Sequence, residues 1–565
     1  MDPRLKLTIV LVLVVGLLWA TAANAQVLNS NVPPGFGQAG YIEGATVNAA
    51  GDGTLTMNGV TMIVPTNSVV QFPANTLAWP DLFNPAVYAP VNDVAPAITA
   101  GRTGLALLDN PQQFRTLSPY LPYNAIVLGN IDVAGKTGKP KGSYIVGLIL
   151  PIGQDLGNGG QGFITFIDYA KGRFEVGGTL GVQNTGTIIE INDPTGRYGK
   201  AHSPDPRWSV DNENPTIASG NGYPLCIPRV APPAIDQECP LYNRPLNPPV
   251  GATGHDPLLP PGVPLLAYLM PAKPKPNAVG DTTLDPWKMA PLMLGDYITY
   301  FGTLNKIAPT TIVTNFKTQT YISANTVGVD KLGIYTAAGT TGTAGPAYVQ
   351  LARMVIGTGG NTKGVNLLPN AGLGIVGGNI PLPEPRNNIV VVGFVTDSTQ
   401  LVDIYAIDID AGSGAESCRL LGTVLPEPGV FAGGIGRGNK GRFRFEIGKG
   451  NFQPVTRVYA AYSRHGQAQL PDQTGAIVPP ASPQICTDKN APSPMLTGGN
   501  GLLSGQYHAP MFTFQFPDAP PGFPSIPNNF DDIPFLVKGE GGNPSAGPLN
   551  PQPPVCPLAG GVPTC

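Results

Sequence analysis

Glycine and proline recur so often along this chain that a convincing 3.6-residue apolar period never develops. The 565 residues include 73 glycines and 64 prolines. Proline costs about 3 kcal/mol and glycine about 1 kcal/mol in a helix interior relative to alanine. A helical core is therefore a poor solution for this sequence. Yet 42 % of residues are hydrophobic, and apolar runs recur from end to end. Cores can be buried, and strands are the elements left to bury them. One short helix over Asp285–Leu294, interrupted by Pro291, is the exception the pattern allows.

The strand signals are local and specific. Thr54-Leu55-Thr56-Met57 alternates, Asn58-Gly59 supplies positive φ, and Val60–Val64 returns. Such a dipeptide between β-rich runs is the strongest short-range hairpin signal. A second hairpin joins Phe163–Tyr169 to Arg173–Val176, and Thr187–Ile191 continues it. Further strands are expected over Asp296–Leu304, Tyr321–Tyr335, Ala347–Ile356, Ile389–Asp410, Arg442–Ile447 and Phe512–Phe516. A pattern of β-formers followed by glycine recurs as YIEG at Tyr41, IVLG at Ile126, YIVG at Tyr144, TYFG at Thr299 and VVVG at Val390. Glycine inside a strand marks a bulge or a sharp barrel corner. The expected fold is all-β: several small barrels or sandwiches, OB-like in kind, joined by long Pro/Gly-rich segments.

The layout that follows is a leader over 1–25, a β module over 26–100 and a second over 101–202. A Pro-rich, disulfide-tied segment covers 203–288, and a β-sandwich region 289–471. A Pro-rich tail over 472–565 carries a last strand and a Cys pair. Arg4 and Lys6, the apolar run Leu7–Ala20 and Ala23-Asn24-Ala25 read as a secretory signal peptide. No later stretch approaches the ~20 apolar residues of a membrane span. Six cysteines, Cys226, Cys239, Cys418, Cys486, Cys556 and Cys565, fit an oxidising compartment. Proximity favours Cys226–Cys239 and Cys556–Cys565, leaving Cys418–Cys486, among the 15 pairings open to six cysteines. A net charge of −3 with only 12 % charged residues argues against nucleic acid or an anionic membrane as partner.

Chemistry-bearing motifs are sparse. Gly157–Gly162 and Gly436–Gly441 both match G-x-G-x-x-G, but each runs into a strand, where a dinucleotide site needs a helix N-terminus. His202, His255, His465 and His508 are scattered, without zinc-ligand or nucleophile spacing. Asp408 and Asp410, alternating near a Gly turn, are candidate calcium ligands. The segment SPDPRWSVDNENPT, Ser203–Thr216, is the densest cluster. Asp205, Asp211 and Glu213 are its candidate catalytic carboxylates, since glycoside hydrolysis needs two acids flanking the bond. Arg207 and Trp208 are its candidate ligand contacts. The same residues equally form a tied loop, with Asp and Asn beside Pro as turn formers, and the structural reading is the favoured one.

Taken together, the cassettes INDPTGRYG, SPDPRWSVDNENPT, GYPLCIPR, LGDYITYFGTL, VDIYAIDID and GQYHAPMFTFQFP resemble a group of large, uncharacterised secreted proteins of fungi and some bacteria. The resemblance covers about Ser143 to Val537 and implies no activity or catalytic residue. The N-terminal hairpin is also similar to small bacterial β-barrel modules. The expectation is an exported, non-catalytic structural or interaction protein of the cell surface or extracellular space, binding a glycan or another envelope component. A secreted carbohydrate-active hydrolase and a self-assembling surface-layer or filament component are the alternatives. No cofactor is expected beyond a structural calcium.

Overall fold

In the computed structural model the chain is all-β, with helical geometry confined to 3-10 turns among the described residues. The structure describes residues 35–66, 68–73, 76–84, 101–107, 123–133, 138–154, 158–211, 214–230, 236–272, 282–306, 320–337, 346–357, 388–409, 416–428, 440–447, 458–464 and 504–510, with isolated residues and short strand fragments between and after them.

The first module contains β1 (Gly35–Val47), β2 (Gly53–Met57), β3 (Val60–Val64), β4 (Val69–Gln71), β5 (Thr76–Ala78), β6 (Tyr123–Asp132) and β7 (Ser143–Gln154). The β2–β3 turn has Asn58 at φ 50° and Gly59 at φ 72°, as the Asn-Gly signal requires. Strands β3, β2, β1, β6 and β7 pair in that order. The ring closes where β3 meets β7 in parallel at Ile63↔Ile145. Leu55, Met57, Met62, Val64, Val127 and Val146 fill the interior.

The second module repeats this connectivity. Its strands are β8 (Asn158–Asp168), β9 (Arg173–Val176), β10 (Thr187–Ile191), β11 (Ile217–Ser219), β12 (Leu225–Cys226), β13 (Ala267–Met270), β14 (Ala290–Pro291), β15 (Tyr297–Lys306), β16 (Thr320–Val329) and β17 (Gly333–Thr336). The order β10-β9-β8-β15-β16 closes by three parallel pairs between β10 and β16. In both rings the first strand pairs with the second and fourth, and the third runs parallel to the fifth. This is the connectivity of an OB-type Greek-key barrel. Ile164, Phe174, Ile189, Ile191, Ile298 and Val327 line the second core.

The third module is a sandwich. Strands β18 (Val349–Gly357), β19 (Lys363–Leu367), β20 (Gly378–Leu382), β21 (Asn388–Val395), β22 (Val402–Ile409), β23 (Glu416–Val424), β24 (Arg442–Glu446), β25 (Val458–Ser463), β26 (Gln506–Pro510) and β27 (Phe514–Gln515) belong here. The sheets β24-β21-β18-β27 and β23-β22-β25-β26 enclose Val349, Leu351, Val391, Ile404, Phe443 and Tyr459. Val69 and Leu148 of the first barrel lie in the same apolar cluster, so that barrel is packed against the sandwich.

Every glycine of the recurrent pattern sits at a register shift. Gly44 follows the β1 bulge. Gly129 flanks the β6–β7 shift, and Gly147 opposite it is the residue skipped. Gly302 borders the β15–β16 shift, and Gly393 stands opposite Leu351 at the shift in β18. At Gly302 an added Cβ would lie 2.1 Å from the Ser323 carbonyl oxygen, so no side chain fits.

Two expectations differ from the structure. The first sheet runs across residue 100, where the sequence suggests a boundary, because β1 pairs with β6; the change of barrel falls between Gln154 and Asn158. The short helix over Asp285–Leu294 is not formed. Pro286 and Pro291 supply no N–H, the Asp285, Lys288 and Met289 carbonyls accept from Asn243 Nδ2, and Ala290–Pro291 pairs with β12 instead.

Candidate functional site

A Pro-dense segment has carbonyls but few N–H groups, so its acceptors need donors from elsewhere. Buried asparagines provide them. Asn192 Nδ2 donates to the Asp205 and Trp208 carbonyls, both at 3.0 Å, while its Oδ1 accepts from Ser203 Oγ at 2.6 Å. Its own N–H is fixed to Ala324 O on β16. Asn243 and Asn247 serve the later parts of the insertion in the same way, and Asn221 ties it to β17, donating Nδ2–H to Ile334 O and accepting the Ile334 N–H.

This fixes the geometry of Ser203–Thr216. Asp205 caps a single 3-10 turn by accepting from the Arg207 N–H at 3.0 Å. Both its oxygens also bind the Arg207 guanidinium, at 2.7–3.1 Å. Arg207 is 2 % exposed and donates to Thr103 O of the first barrel at 2.7 Å. Its guanidinium lies 5.7 Å from the Phe72 ring centroid. Trp208 enters the first barrel's core, edge-on to Phe72 at 5.1 Å and stacked on Tyr123 at 5.6 Å. Asp211 accepts from the N–H and side-chain amide of Asn214. Asn214 in turn bonds the backbone of His508 on β26, giving Nδ2–H to its carbonyl and taking its N–H at 3.0 Å. One short segment thus ties both barrels and the sandwich. Glu213 lies outside the described residues.

The remaining sequence candidates separate. Cys226 and Cys239 form a disulfide, and Cys418 is disulfide-bonded as well. Cys486, Cys556 and Cys565 lie outside the described residues, as do His465 and Asp410. Asp408 stands on β22 opposite Ser417. Among the described residues no group of three or more His, Cys, Asp or Glu is placed to hold a metal ion. His255 bonds Pro248 O, and His508 Nε2 bonds Tyr462 Oη. No helix among the described residues is long and apolar enough to cross a membrane.

A polar cluster emerges that sequence spacing does not show. On the outer side of β9, β10 and β16, Glu190 forms an ion pair with Arg173, and its other carboxylate oxygen lies 2.9 Å from His202 Nε2. His202 Nε2 also lies 3.1 Å from Tyr321 Oη. Its members come from positions 173 to 321, and only the barrel pairing unites them. In OB-type barrels the face of the second and third strands is the usual ligand side. Here Glu175 accepts the N–H groups of Asn184, Thr185 and Gly186, and Ile188 and Glu190 are buried. The chain covers that side with its own loops.

The open surface is on the other side, formed by β8, β15 and β16. Phe163 and Phe301 are 57 % and 52 % exposed. Phe163 lies opposite Tyr297, with ring centroids 5.0 Å apart and planes at 74°. Phe301 lies opposite Gly159, where an added Cβ would come within 2.6 Å of its ring. The ring therefore rests on bare backbone. Gly160 and Gly162 likewise make room for Tyr300 and Val176. Within the G-x-G-x-x-G run, Gly159, Gly160 and Gly162 form a bed for aromatic and branched side chains within the sheet. No family model, no curated protein and no solved structure matches the chain.

Proposed function

We propose that this is an exported, non-catalytic interaction protein of the cell surface or extracellular space, a firm β scaffold that presents binding surfaces. The observation that carries the reading is the use made of the Ser203–Thr216 acids. Both oxygens of Asp205 are spent on Arg207, and those of Asp211 on Asn214. The segment best suited by composition to sugar hydrolysis works as a clasp. The Cys226–Cys239 disulfide suits an oxidising compartment. Open aromatic surface beside these closed polar clusters suits binding.

Native fractionation of the producing cells tests this. The mature chain is expected to cosediment with insoluble envelope or matrix material and to be released only by competing ligand or harsh extraction. A freely soluble chain with hydrolytic activity, lost in Asp211→Ala without loss of thermal stability, would overturn it.

A further inference from the structure

We infer that the outer face of β8, β15 and β16 is a binding platform for a neutral, extended polysaccharide chain; this rests on the interaction-protein reading and gives it a site. The outward positions are Gly159, Gln161 and Phe163 on β8, Tyr297, Thr299 and Phe301 on β15, and Thr326 and Gly328 on β16. Their inward neighbours Ile164, Ile298, Val327 and Val329 are buried in the barrel. Two aromatic stations stand at Phe163/Tyr297 and at Phe301. Four residues of strand separate Tyr297 from Phe301, about 13 Å at ~3.3 Å per residue. That distance is longer than one pyranose ring, so the face matches an oligomer, not a monosaccharide.

Shape and charge select the occupant. Gly328, opposite Thr299, keeps the face low between the stations, and Gly159 lies beneath Phe301. With Gly159 bare, the Phe301 ring lies against β8 and stays 52 % exposed; an exposed aromatic ring is a surface on which the C–H face of a sugar stacks. Gln161 and Thr299 lie between the stations and offer amide and hydroxyl partners to sugar hydroxyls. Thr299 is oriented by donating from Oγ1 to Asp330 at 2.8 Å. None of the eight outward positions is charged. The adjacent cation, Lys331, sits 5.8 Å from the Tyr297 ring centroid at one end. A polyanion such as nucleic acid needs several cations along its track, and this face does not supply them. A neutral polymer with apolar ring faces and hydroxyl edges fits.

Affinity electrophoresis of the full mature chain tests the inference. Native gels carry hydroxyethylcellulose, mixed-linkage β-glucan or glucomannan, with polygalacturonate as the anionic comparison. Retardation is expected in at least one neutral gel and not in polygalacturonate. Phe301→Ala and Phe163→Ala should each weaken binding about tenfold, equivalent to ~1.4 kcal/mol, with unchanged thermal midpoints. Phe301→Trp should retain binding, and Gly159→Val should weaken it by lifting the ring. Absence of retardation in every neutral gel, retardation in polygalacturonate alone, or equal retardation of wild type and both alanine variants would overturn the platform. Cosedimentation with envelope material in those cases leaves the broader reading standing; loss of both removes it too.

Discussion

Trp208→Ala is the sharpest test of the clasp. The indole is 2 % exposed and stands in the first barrel's core, although its residue belongs to the second barrel's insertion. A buried tryptophan removes about 200 Å² from water. At ~25 cal/mol per Å² that is worth about 5 kcal/mol as an upper bound. Alanine keeps a little of this and leaves a cavity beside Phe72 and Tyr123, which lose their edge-on and stacked partner. Measured Trp→Ala losses in cores run about 3–5 kcal/mol, so about 4 kcal/mol is expected. Trp208→Phe is the control. It keeps most of the apolar contact and deletes an indole N–H that has no hydrogen-bond partner among the described residues. An orphaned buried donor costs about 1–3 kcal/mol, so the Phe variant should lie within about 1.5 kcal/mol of wild type. Denaturant unfolding followed by circular dichroism reads both variants. Because a multimodule chain need not unfold in one step, limited proteolysis should show cleavage of the first barrel ahead of the rest in the Ala variant. An Ala variant that loses less than about 1 kcal/mol and keeps its proteolytic pattern would refute the clasp. Trp208 would then be a loop residue free for another task.

Arg244→Ala should cost about 3–5 kcal/mol, because it strands the buried Asp296 carboxylate that Arg244 binds at 2.7 and 3.0 Å; a denaturation midpoint checks it. Asn214→Ala leaves the His508 N–H and C=O without their partner and should cost about 1–3 kcal/mol. Hydrogen exchange should show the His508 amide opening first. Burial raises the Glu238 carboxyl above its ordinary value, against the lowering effect of Lys288 and Arg229. A carboxyl raised in the folded state penalises folding above its folded pKa, and the penalty vanishes below the unfolded pKa of about 4.3. Glu238→Gln should therefore raise the thermal midpoint at pH 7 and change it little at about pH 4; the opposite order in a pH series of melts would reverse the assignment.

Local signals in this sequence report local geometry faithfully. Asn58-Gly59 makes its hairpin, and the glycines at 44, 129, 147, 302 and 393 mark register shifts, with no room for a side chain against the neighbouring backbone at 129, 302 and 393. Cys226 and Cys239, 13 residues apart, pair as proximity suggests. What the sequence hides is pairing at a distance. The β1–β6 ladder joins Gly35 to Asn130 across the Pro-rich stretch between them, so a composition break near 100 reads as a boundary although one sheet spans it. The Phe163/Tyr297/Phe301 face is hidden for the same reason, since β8 and β15 are separated by the whole insertion.

The two barrels explain why that insertion is so rich in proline and asparagine. Each carries its long excursion between its third and fourth strands, after β3 in one and after β10 in the other. The first excursion returns Phe72, Trp79 and Phe83 to its own core. The second sends Trp208 into the first barrel and Asn214 to the sandwich. A segment spanning three modules forms only the short strands β11–β14 among its described residues, so backbone acceptors outside those strands lack a ladder. Proline limits its conformational freedom before folding. The asparagines then supply by side chain the donors that a sheet would supply by backbone. Seen in this way, SPDPRWSVDNENPT is acidic and aromatic because a clasp needs a capped turn, a buried ion pair and an anchor. The aromatic chemistry left for a partner lies on the opposite side of the second barrel, where the chain's own loops leave the sheet open.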